Sequence, residues 1–321
     1  MPRVIIAGGG IGGMATALSL HAAGITDVDV YESAAAIREL GVGVTLQPHA
    51  VRELAELGLF DELSATGVEL TELAYFTKRG QRIWTEPRGL AAGQRWPQLA
   101  IHRGALLMIL YRAVQARLGT RGVHPGYHLT RFGEHRDGTV WAQFTDRRTG
   151  TPMPVVRGDV LVGADGVHST VRRILHPHEG PPPWTGITVW RGTTEAAPFL
   201  GGHVMAQVGY HGRQLVVYPI SQRYADRGRA LVNWAALYRL GPGHSMGNQD
   251  WDHQGRRDDV LKPFSDYTFD WLDLPELVHR APVIYQYPLV DRDPLPRWGT
   301  GPVTLLGDAA HPMYPYGGNG A

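Results

Sequence analysis

Residues 4–13 read VIIAGGGIGG, and this stretch determines the interpretation of the rest of the chain. Its four apolar residues are typical of a short buried strand, and the six residues after them satisfy the pattern G-x-G-x-x-G. Residues 14–23 have helical character up to Gly24, and residues 28–31 are again typical of a strand. A strand, a tight turn, a helix and a second strand within about 30 residues predict the start of a doubly wound α/β sheet.

The glycine pattern has a specific physical meaning at this position. Gly8 permits the tight turn, Gly10 lets a pyrophosphate approach the backbone, and Gly13 allows close packing of the helix on the strand. The helix N-terminus offers N–H groups to phosphates, and Glu32 at the end of the second strand offers a carboxylate to ribose hydroxyls. The unit is predicted to bind FAD or NAD rather than NADP; the alternative is a glycine-rich turn beside an unrelated surface glutamate. The predicted contacts are Gly8, Gly10, Ile11, Gly12, Gly13, Glu32 and Ser33.

Two later motifs also follow apolar strands. Residues 163–172 read GADGVHSTVR, and residues 307–312 read GDAAHP. Asp165 is interpreted either as a cofactor contact or as the cap of a following helix. Asp308 is interpreted either as an acceptor for a ribityl hydroxyl or as part of an ordinary strand-end turn. Each motif alone is ambiguous, but the three motifs together, in this order, are far more specific.

Composition excludes several other classes of protein. The chain of 321 residues is long enough for about two domains, and it contains no cysteine, which excludes disulfides, thiolate metal sites and cysteine nucleophiles. A net charge of +1 gives no electrostatic argument for binding nucleic acid or an anionic membrane. The apolar run at residues 4–7 is too short for a signal peptide, and no apolar stretch approaches the ~18 residues of a membrane span. We therefore expect a cytoplasmic protein with no nucleic-acid or membrane partner.

The middle of the chain is rich in predicted strands. Residues 71–86 predict two strands joined by a turn, and a break at residues 181–183 (PPP) precedes further strand-like runs. These runs are 187–191, 204–208, 215–218 and 231–237. The polar segment 241–257 is predicted to be an exposed loop. The predicted division is a dinucleotide-binding domain of residues 1–70, 98–182 and 291–321 and an antiparallel-sheet substrate domain of residues 71–97 and 183–290.

The three motifs, in this order, resemble those of the class A flavoprotein aromatic hydroxylases. Within that family the chain resembles the phenazine hydroxylases that act on 5-methylphenazine-1-carboxylate in pyocyanin-type pathways. The stretches that carry this closer resemblance are residues 37–44 (IRELGVGV), 86–89 (EPRG), 101–104 (IHRG), 187–192 (ITVWRG), 217–221 (VYPIS), 231–234 (LVNW) and 286–298 (QYPLVDRDPLPRW). Two absences agree with the family: the chain has no second G-x-G-x-x-G for a nicotinamide, and no W-x-W-x-I-P motif of the flavin-dependent halogenases.

The resemblance implies an α/β fold, a Rossmann-like FAD-binding domain with an inserted antiparallel-sheet substrate domain. It implies FAD as cofactor, NADH or NADPH as a transient reductant, and O2. The family continues past residue 321 with further helices, so we expect C-terminal helices that this sequence does not contain. The additional FAD contacts that the resemblance implies are Gly43, Val44, Arg103, Asp165, Gly166, Gly307, Asp308, Gly318 and Asn319.

The implied reaction is ring hydroxylation through a flavin C4a-hydroperoxide, with loss of CO2 where the attacked carbon carries a carboxylate. The flavin performs this chemistry, so no catalytic side chain and no metal are predicted. The protein must exclude water and orient the ring, which predicts an apolar, aromatic pocket. The predicted pocket residues are Trp190, Arg191, Tyr218, Trp234, Tyr287 and Pro315. Core packing is the alternative for each of them, and a structural ion pair is the alternative to a substrate carboxylate for Arg191.

Other interpretations stay open from the sequence alone. The substrate is predicted to be a phenazine-type aromatic, or else a salicylate-like, quinoline or polyketide ring. A non-catalytic flavin-binding protein and an NAD-dependent dehydrogenase are the alternatives from other classes. A metal site at His176, His178, Glu179 or His311 is disfavoured, because Pro177 constrains the first histidine pair and His311 belongs to the third motif. The oligomeric state is predicted only as a monomer or homodimer.

Overall fold

The computed structural model describes residues 1–210, 212–241 and 254–318. The strands that it describes are β1 (Val4–Ala7), β2 (Val28–Glu32), β3 (Gly43–Leu46), β4 (Val68–Leu70), β5 (Glu72–Phe76), β6 (Arg82–Pro87), β7 (Gln98–His102), β8 (Val123–Pro125), β9 (Tyr127–Glu134), β10 (Val140–Asp146), β11 (Val156–Gly158), β12 (Val160–Gly163), β13 (Trp184–Ala196), β14 (Val204–Tyr210), β15 (Arg213–Pro219), β16 (Ala230–Arg239), β17 (Ile284–Val290), β18 (Gly299–Thr300) and β19 (Val303–Leu305). The α-helices are α1 (Ile11–Ala22), α2 (Pro48–Glu56), α3 (Phe60–Thr66), α4 (Arg103–Leu118), α5 (Thr170–Leu175), α6 (Gln222–Ala225), α7 (Arg257–Leu261) and α8 (Leu274–His279).

A mostly parallel six-stranded sheet forms the first layer. Its strand order is β18-β19-β12-β1-β2-β8, and β1 runs parallel to β12 and β2. Helices α1 and α4 pack on one face through an apolar core that includes Met14, Leu106 and Val162. The three-stranded sheet β9–β11 contributes Leu129 and Phe144 to the core on the other face. The all-apolar sequence of β1 follows from this arrangement, because a parallel strand covered on both faces has no solvent side.

A seven-stranded sheet forms the second layer, in the order β17-β13-β16-β15-β14-β5-β6. All neighbouring strands are antiparallel except β14 and β5, which are parallel. The face of this sheet that carries α7 and α8 is called here the back face, and the opposite face, against which β3 lies, the front face. The α/β fold class with an added antiparallel sheet is thereby confirmed. The domain boundaries remain a prediction. In this sheet, β5 and β6 lie beside strands from residues 184–290.

Several elements differ from the predictions in their bounds. Helix α1 begins at Ile11, three residues before the predicted start at residue 14. Helix α8 was not predicted, although Asp273 accepts a hydrogen bond from the Glu276 N–H and Pro275 follows at the start of the helix, which is a recognisable start signal. Most of the predicted loop 241–257 lies outside the described residues. Within the part of the chain that the structure describes, no helix is both long and apolar enough to cross a membrane.

Candidate active site

The loops after β1 and β12 touch at the carboxyl edge of the parallel sheet. A Cβ atom added at Gly8 would lie 2.2 Å from the carbonyl oxygen of Ala164, and one at Gly13 would lie 2.0 Å from the carbonyl oxygen of Gly8. Gly8 also has a φ of +116°, which a residue with a side chain rarely adopts. The third loop approaches as well, because a Cβ at Gly12 would contact Leu306 at 3.5 Å. The three motifs therefore converge on one place, as parallel strands dictate.

Three glycines of these loops border open space. A Cβ atom added at Gly10, Gly166 or Gly307 would meet no atom of the described residues within 4 Å. Gly166 and Gly307 also have positive φ angles of 77° and 59°, so a substitution there would be strained although space is available. Partly exposed glycine backbone beside the N-terminus of α1 is suited to a pyrophosphate. The arrangement fits the dinucleotide part of FAD.

Glu32, at the end of β2, lies beside the first glycine loop. Its Oε2 accepts a hydrogen bond of 2.8 Å from the Gly9 N–H, and its Oε1 accepts one of 2.6 Å from the Ala34 N–H and one of 3.2 Å from the Ser33 hydroxyl. An ionised carboxylate has about four acceptor positions, so capacity remains for a ribose hydroxyl. Glu32 is thus fixed in place next to Gly9 of the first glycine loop, where the dinucleotide hypothesis requires a carboxylate.

Asp165 caps helix α5, as one of its two interpretations predicts. It accepts hydrogen bonds from the Ser169 hydroxyl at 2.5 Å and from the N–H groups of Thr170 at 2.7 Å and Val171 at 3.2 Å. Burial raises the pKa of the Asp165 carboxyl, and these hydrogen bonds oppose the rise. Because both oxygens are engaged by α5, Asp165 shapes the turn, and the neighbouring Gly166 is the residue that faces open space.

Asp308 and Arg103 are charged groups in the cleft near the third motif. Asp308 lies in a 3₁₀ turn, Gly307–Ala309, and desolvation raises the pKa of its carboxyl while the charges of Arg103 and His311 lower it. The side chains of Asp308 and Arg103 form no hydrogen bond and no ion pair within residues 1–210, 212–241 and 254–318. Two such groups in a cleft are free to bind a polar ligand such as the ribityl and phosphate groups of FAD.

Strand β3 is attached to the front face of the seven-stranded sheet at Gly43. The Gly43 N–H donates a hydrogen bond of 2.7 Å to Oδ1 of Asn233, and its carbonyl oxygen accepts one of 2.6 Å from Nη2 of Arg191. A Cβ atom at Gly43 would lie 2.6 Å from Cβ of Asn233 and 2.8 Å from Ile220, so only glycine fits. Asn233 is fully buried and was not predicted from the sequence. The sequence feature that could have indicated Asn233 is an amide side chain in the otherwise apolar run LVNWAAL.

Arg191 carries a positive charge on the front face without a carboxylate partner. Its side chain hydrogen-bonds to Tyr218, and burial raises the pKa of the Tyr218 hydroxyl while the Arg191 charge lowers it. No ion pair of Arg191 is found among the residues that the structure describes, and its Nε is buried without a hydrogen-bond partner there. The structural ion pair considered from the sequence is therefore not seen. Arg191 remains available to an anionic ligand.

The two predicted tryptophans lie on the opposite face from Arg191. Trp234 is fully buried and donates a hydrogen bond of 3.1 Å to the Thr194 hydroxyl, and Trp190 belongs to the same core on the back face. Successive residues of a strand face opposite sides, so Trp190 cannot share the face of its neighbour Arg191. The prediction that Trp190 and Trp234 line the pocket is corrected accordingly: both are core residues of the back face.

An apolar cluster covers the front face beyond Arg191, and sequence reasoning missed most of it. Val189 pairs with both Leu237 and Tyr287, which places these side chains on one face. Tyr287 also stacks on Tyr285, with centroids 6.1 Å apart. The cluster, called here the front apolar face, consists of Ile187, Val189, Val216, Ala235, Leu237, Leu289 and Tyr314. A cavity of about 300 Å³ continues from it, lined by residues that include Tyr75, Tyr210 and Gln214.

The segment around Pro315 returns to the end of β3. The Gly317 carbonyl oxygen accepts a hydrogen bond of 2.8 Å from Nε2 of Gln47, and a Cβ atom at Gly318 would lie 2.7 Å from the Thr45 hydroxyl. Pro315 is exposed and follows Tyr314 of the front apolar face. The segment thus brings Pro315 and Gly318 beside the strand that contains Gly43 and Val44. Asn319 lies outside the described residues.

Comparisons with known proteins agree with this site. A family model described as an FAD binding domain matches residues 1–224. The chain is 48% identical over 320 residues to phenazine 1,6-dicarboxylic acid hydroxylase PhzS of Lysobacter antibioticus, covering 99% of this chain and 78% of that protein. It is 32% identical to 3-amino-4-hydroxybenzoate 2-monooxygenase of Streptomyces cremeus, covering 99% of this chain and 75% of that one.

A solved structure shows the same fold with the cofactor bound. Klebsiella pneumoniae HpxO complexed with FAD and uric acid superposes with a TM-score of 0.78 at 26% identity, covering 99% of this chain and 76% of that chain. The predictions of a flavoenzyme, of FAD as cofactor and of a monooxygenase reaction are confirmed. The chain belongs to the FAD-binding family of flavin-dependent aromatic monooxygenases.

Proposed function

We propose that this monooxygenase hydroxylates the ring of a phenazine carboxylate, with release of the ring carboxylate as CO2 when it is on the attacked carbon. The observation that carries the proposal is Arg191, a cation without a carboxylate partner among the described residues, next to the front apolar face. A planar, anionic aromatic molecule complements these two features together. The 48% identity to a phenazine hydroxylase supports the same substrate class.

FAD supplies the redox chemistry, taking hydride from NAD(P)H and activating O2. The role of this chain is to hold the cofactor through the residues around Gly10, Glu32, Arg103 and Asp308 and to keep the ring in place. These cofactor contacts are proposed from the open glycine backbone at the three loops and from the charged groups in the cleft. No side chain of the protein is required as a nucleophile or as an acid–base catalyst.

The front apolar face binds the ring and excludes water. Its aliphatic residues Val189, Leu237 and Leu289 are buried and would form the apolar layer beneath an aromatic ring, and Tyr285 and Tyr287 lie with parallel rings at its border. Exclusion of water from this face would limit the loss of reducing equivalents as H2O2. The cavity of about 300 Å³ leaves room along this face for a ring system with more than one ring.

Arg191 orients the substrate. Its Nη2 donates to the Gly43 carbonyl oxygen and its side chain also hydrogen-bonds to Tyr218, which fixes the guanidinium, and an Nη N–H group that these contacts do not use can donate to a carboxylate. The carboxylate is then held beside β3, the strand that is proposed to lie along the flavin. Of the predicted pocket residues, Arg191, Tyr218, Tyr287 and Pro315 stay in this proposal.

The proposal is tested by the consumption of NAD(P)H by the FAD-loaded protein. Phenazine-1-carboxylate and 5-methylphenazine-1-carboxylate are compared with phenazine itself, which lacks the carboxylate, and with 3-amino-4-hydroxybenzoate and salicylate. We expect the two phenazine carboxylates to stimulate oxidation several-fold and unsubstituted phenazine to do so far less. Stimulation of NAD(P)H oxidation by a single-ring benzoate, with none by any phenazine, would overturn the proposed substrate class and leave the monooxygenase assignment in place. The cytoplasmic location and the monomeric or homodimeric state remain predictions.

A further inference from the structure

A triad of charged residues lies behind the second and third motifs. Arg172, in α5, binds Glu179 in a bidentate pair, with Nε donating at 2.7 Å and Nη2 at 2.5 Å. Arg292 binds the same carboxylate at 3.0 Å and donates a second hydrogen bond of 3.0 Å to the Gly180 carbonyl oxygen. The three side chains, called here the Glu179 triad, are 2%, 24% and 10% exposed for Arg172, Glu179 and Arg292.

Arg172 connects this triad to the turn that contains Asp308. Its Nη1 donates hydrogen bonds to the carbonyl oxygens of Ala309 at 3.1 Å and Ala310 at 2.7 Å. The Gly307 carbonyl oxygen in turn accepts from the N–H groups of Ala310 and His311, both at 2.9 Å. The backbone on both sides of Asp308 is therefore fixed by hydrogen bonds.

Because Arg172 is buried, the stability of the triad depends on the balance between its positive and negative charges. Among the described residues, Arg172 is the one charged residue that counts as buried. A buried guanidinium requires a counter-charge and partners for its N–H groups, and Glu179 supplies the charge. Without the Glu179 carboxylate, the Arg172 guanidinium has a lower free energy in solvent than in its buried position. When it turns toward solvent, the carbonyl oxygens of Ala309 and Ala310 lose their hydrogen-bond donor.

Arg292 extends the triad toward the seven-stranded sheet. It follows β17, the edge strand that contains Tyr285 and Tyr287, so its contact with Glu179 fixes the chain where it leaves that sheet. Arg292 also lies near His168 of the second motif, whose pKa it helps to lower. The triad thus joins the second motif, the third motif and the segment after β17.

We propose that Glu179 is a positioning residue for the flavin half of the cofactor: by holding Arg172 and Arg292 it fixes the turn of Asp308 against the second motif. The proposal rests on the proposed contact of Asp308 with FAD. It predicts a selective effect, because the ADP half of FAD belongs to the loop of Gly10 and to Glu32, which the triad does not touch. A general loss of stability would weaken both halves alike.

The test compares the binding of FAD with the binding of ADP to the same cofactor-free protein. Glu179→Gln keeps the shape of the side chain and removes its charge. We expect the Kd for FAD to rise about tenfold or more, the effect of losing a charge-assisted hydrogen bond. The Kd for ADP, measured by calorimetry, should stay within about twofold of the wild type, a difference of under half a kcal/mol.

Three further variants complete the design. Glu179→Asp keeps the charge and should bind FAD more tightly than Glu179→Gln. Arg292→Gln removes one of the two arginines that bind Glu179, so it should raise the Kd for FAD by a smaller factor, again without changing the Kd for ADP. This variant also tests the proposal if Glu179→Gln does not fold. Asp266→Asn, which removes contacts with Lys78 and Arg213 far from the motifs, should change neither Kd.

Two results overturn the proposal. One is an equal loss of FAD and ADP affinity in Glu179→Gln and Arg292→Gln, which would make the triad merely structural. The other is unchanged FAD affinity in a folded Glu179→Gln protein. Neither result depends on the substrate, so a failure of the phenazine proposal is recognised separately, as wild-type protein that binds FAD but does not respond to phenazines.

Discussion

The Arg191 guanidinium donates a hydrogen bond of 2.6 Å to the Gly43 carbonyl oxygen across 148 positions of sequence. This contact joins β13 of the seven-stranded sheet to β3, and the same guanidinium has no carboxylate partner within the described parts of the chain. A cation that is fixed by neutral partners keeps its charge available for a ligand.

Arg191→Gln should lower kcat/KM for phenazine-1-carboxylate by roughly 10- to 100-fold, the usual cost of losing a hydrogen bond to a charged group. The fall should come mainly from a higher KM, because the carboxylate is bound in the ground state as well as during the reaction. Steady-state rates of NAD(P)H oxidation measure it. Arg229→Gln, which removes an exposed pair with Glu195 on the same sheet, is the control and should leave kcat/KM unchanged. An unaltered KM in Arg191→Gln would remove Arg191 from the substrate site.

Gly43→Ala should destabilise the protein, because the new Cβ would overlap Asn233 and Ile220. Overpacking of this kind typically costs about 1–3 kcal/mol in the free energy of unfolding. The double variant with Asn233→Ala should recover part of that loss, since the smaller side chain removes the overlap. Urea unfolding of the four proteins of this cycle measures the coupling, and strictly additive effects would contradict the contact.

Glu32→Gln should weaken the binding of both FAD and ADP by about tenfold, because the carboxylate accepts hydrogen bonds that a neutral amide accepts more weakly. It also holds the Gly9 and Ala34 N–H groups, so the glycine loop itself loses order. Glu32→Ala should also weaken the binding of FAD and ADP, without unfolding the protein. Fluorescence titration of FAD checks both variants, and wild-type affinity in either one would refute the assigned position of the ribose.

Trp234→Phe and Tyr287→Phe should affect different properties. Trp234→Phe loses the hydrogen bond to Thr194 in the back-face core and should lower the free energy of unfolding by about 1–3 kcal/mol at unchanged KM. Tyr287→Phe should change KM for the aromatic substrate more than it changes stability, because Tyr287 lies on the face of Val189. Measured together, unfolding curves and KM values decide the assignment of faces. A raised KM in Trp234→Phe would mean that the substrate pocket lies on the back face of the sheet and would contradict the assignment to the front face.

Asp308→Asn should make the cofactor-free protein more stable at neutral pH and bind FAD more weakly. The pKa of Asp308 is raised in the folded state by desolvation, so folding is favoured where the carboxyl is protonated and this advantage is lost as pH rises through the raised pKa. Below the ordinary carboxyl pKa of about 3.9, wild type and variant should have equal stability. Thermal unfolding over a pH series measures the difference. A variant that is less stable than wild type at pH 7 would contradict the desolvation of Asp308.

The cofactor site could be predicted largely from the sequence, and the substrate site only in part. The glycine loops and the turn of Asp308 each follow a recognisable strand, and parallel strands bring their carboxyl ends together whatever the rest of the fold is. In β13, by contrast, alternation shows that Trp190 and Arg191 face opposite sides but not which side faces the cofactor. That choice depends on α7 and α8, which cover the back face. The contacts of Asn233 with Gly43 and of Arg172 with Ala309 join residues 190 and 137 positions apart, and no local pattern reveals them.

The most direct test of the central claim is the product formed from phenazine-1-carboxylate by the FAD-loaded protein and NAD(P)H under ¹⁸O2. We predict a hydroxyphenazine that has lost CO2 and contains one ¹⁸O atom, formed in proportion to the NAD(P)H consumed. NAD(P)H consumption that yields only H2O2 with this acid and its N-methyl form, while another aromatic compound is hydroxylated under the same conditions, would contradict the account.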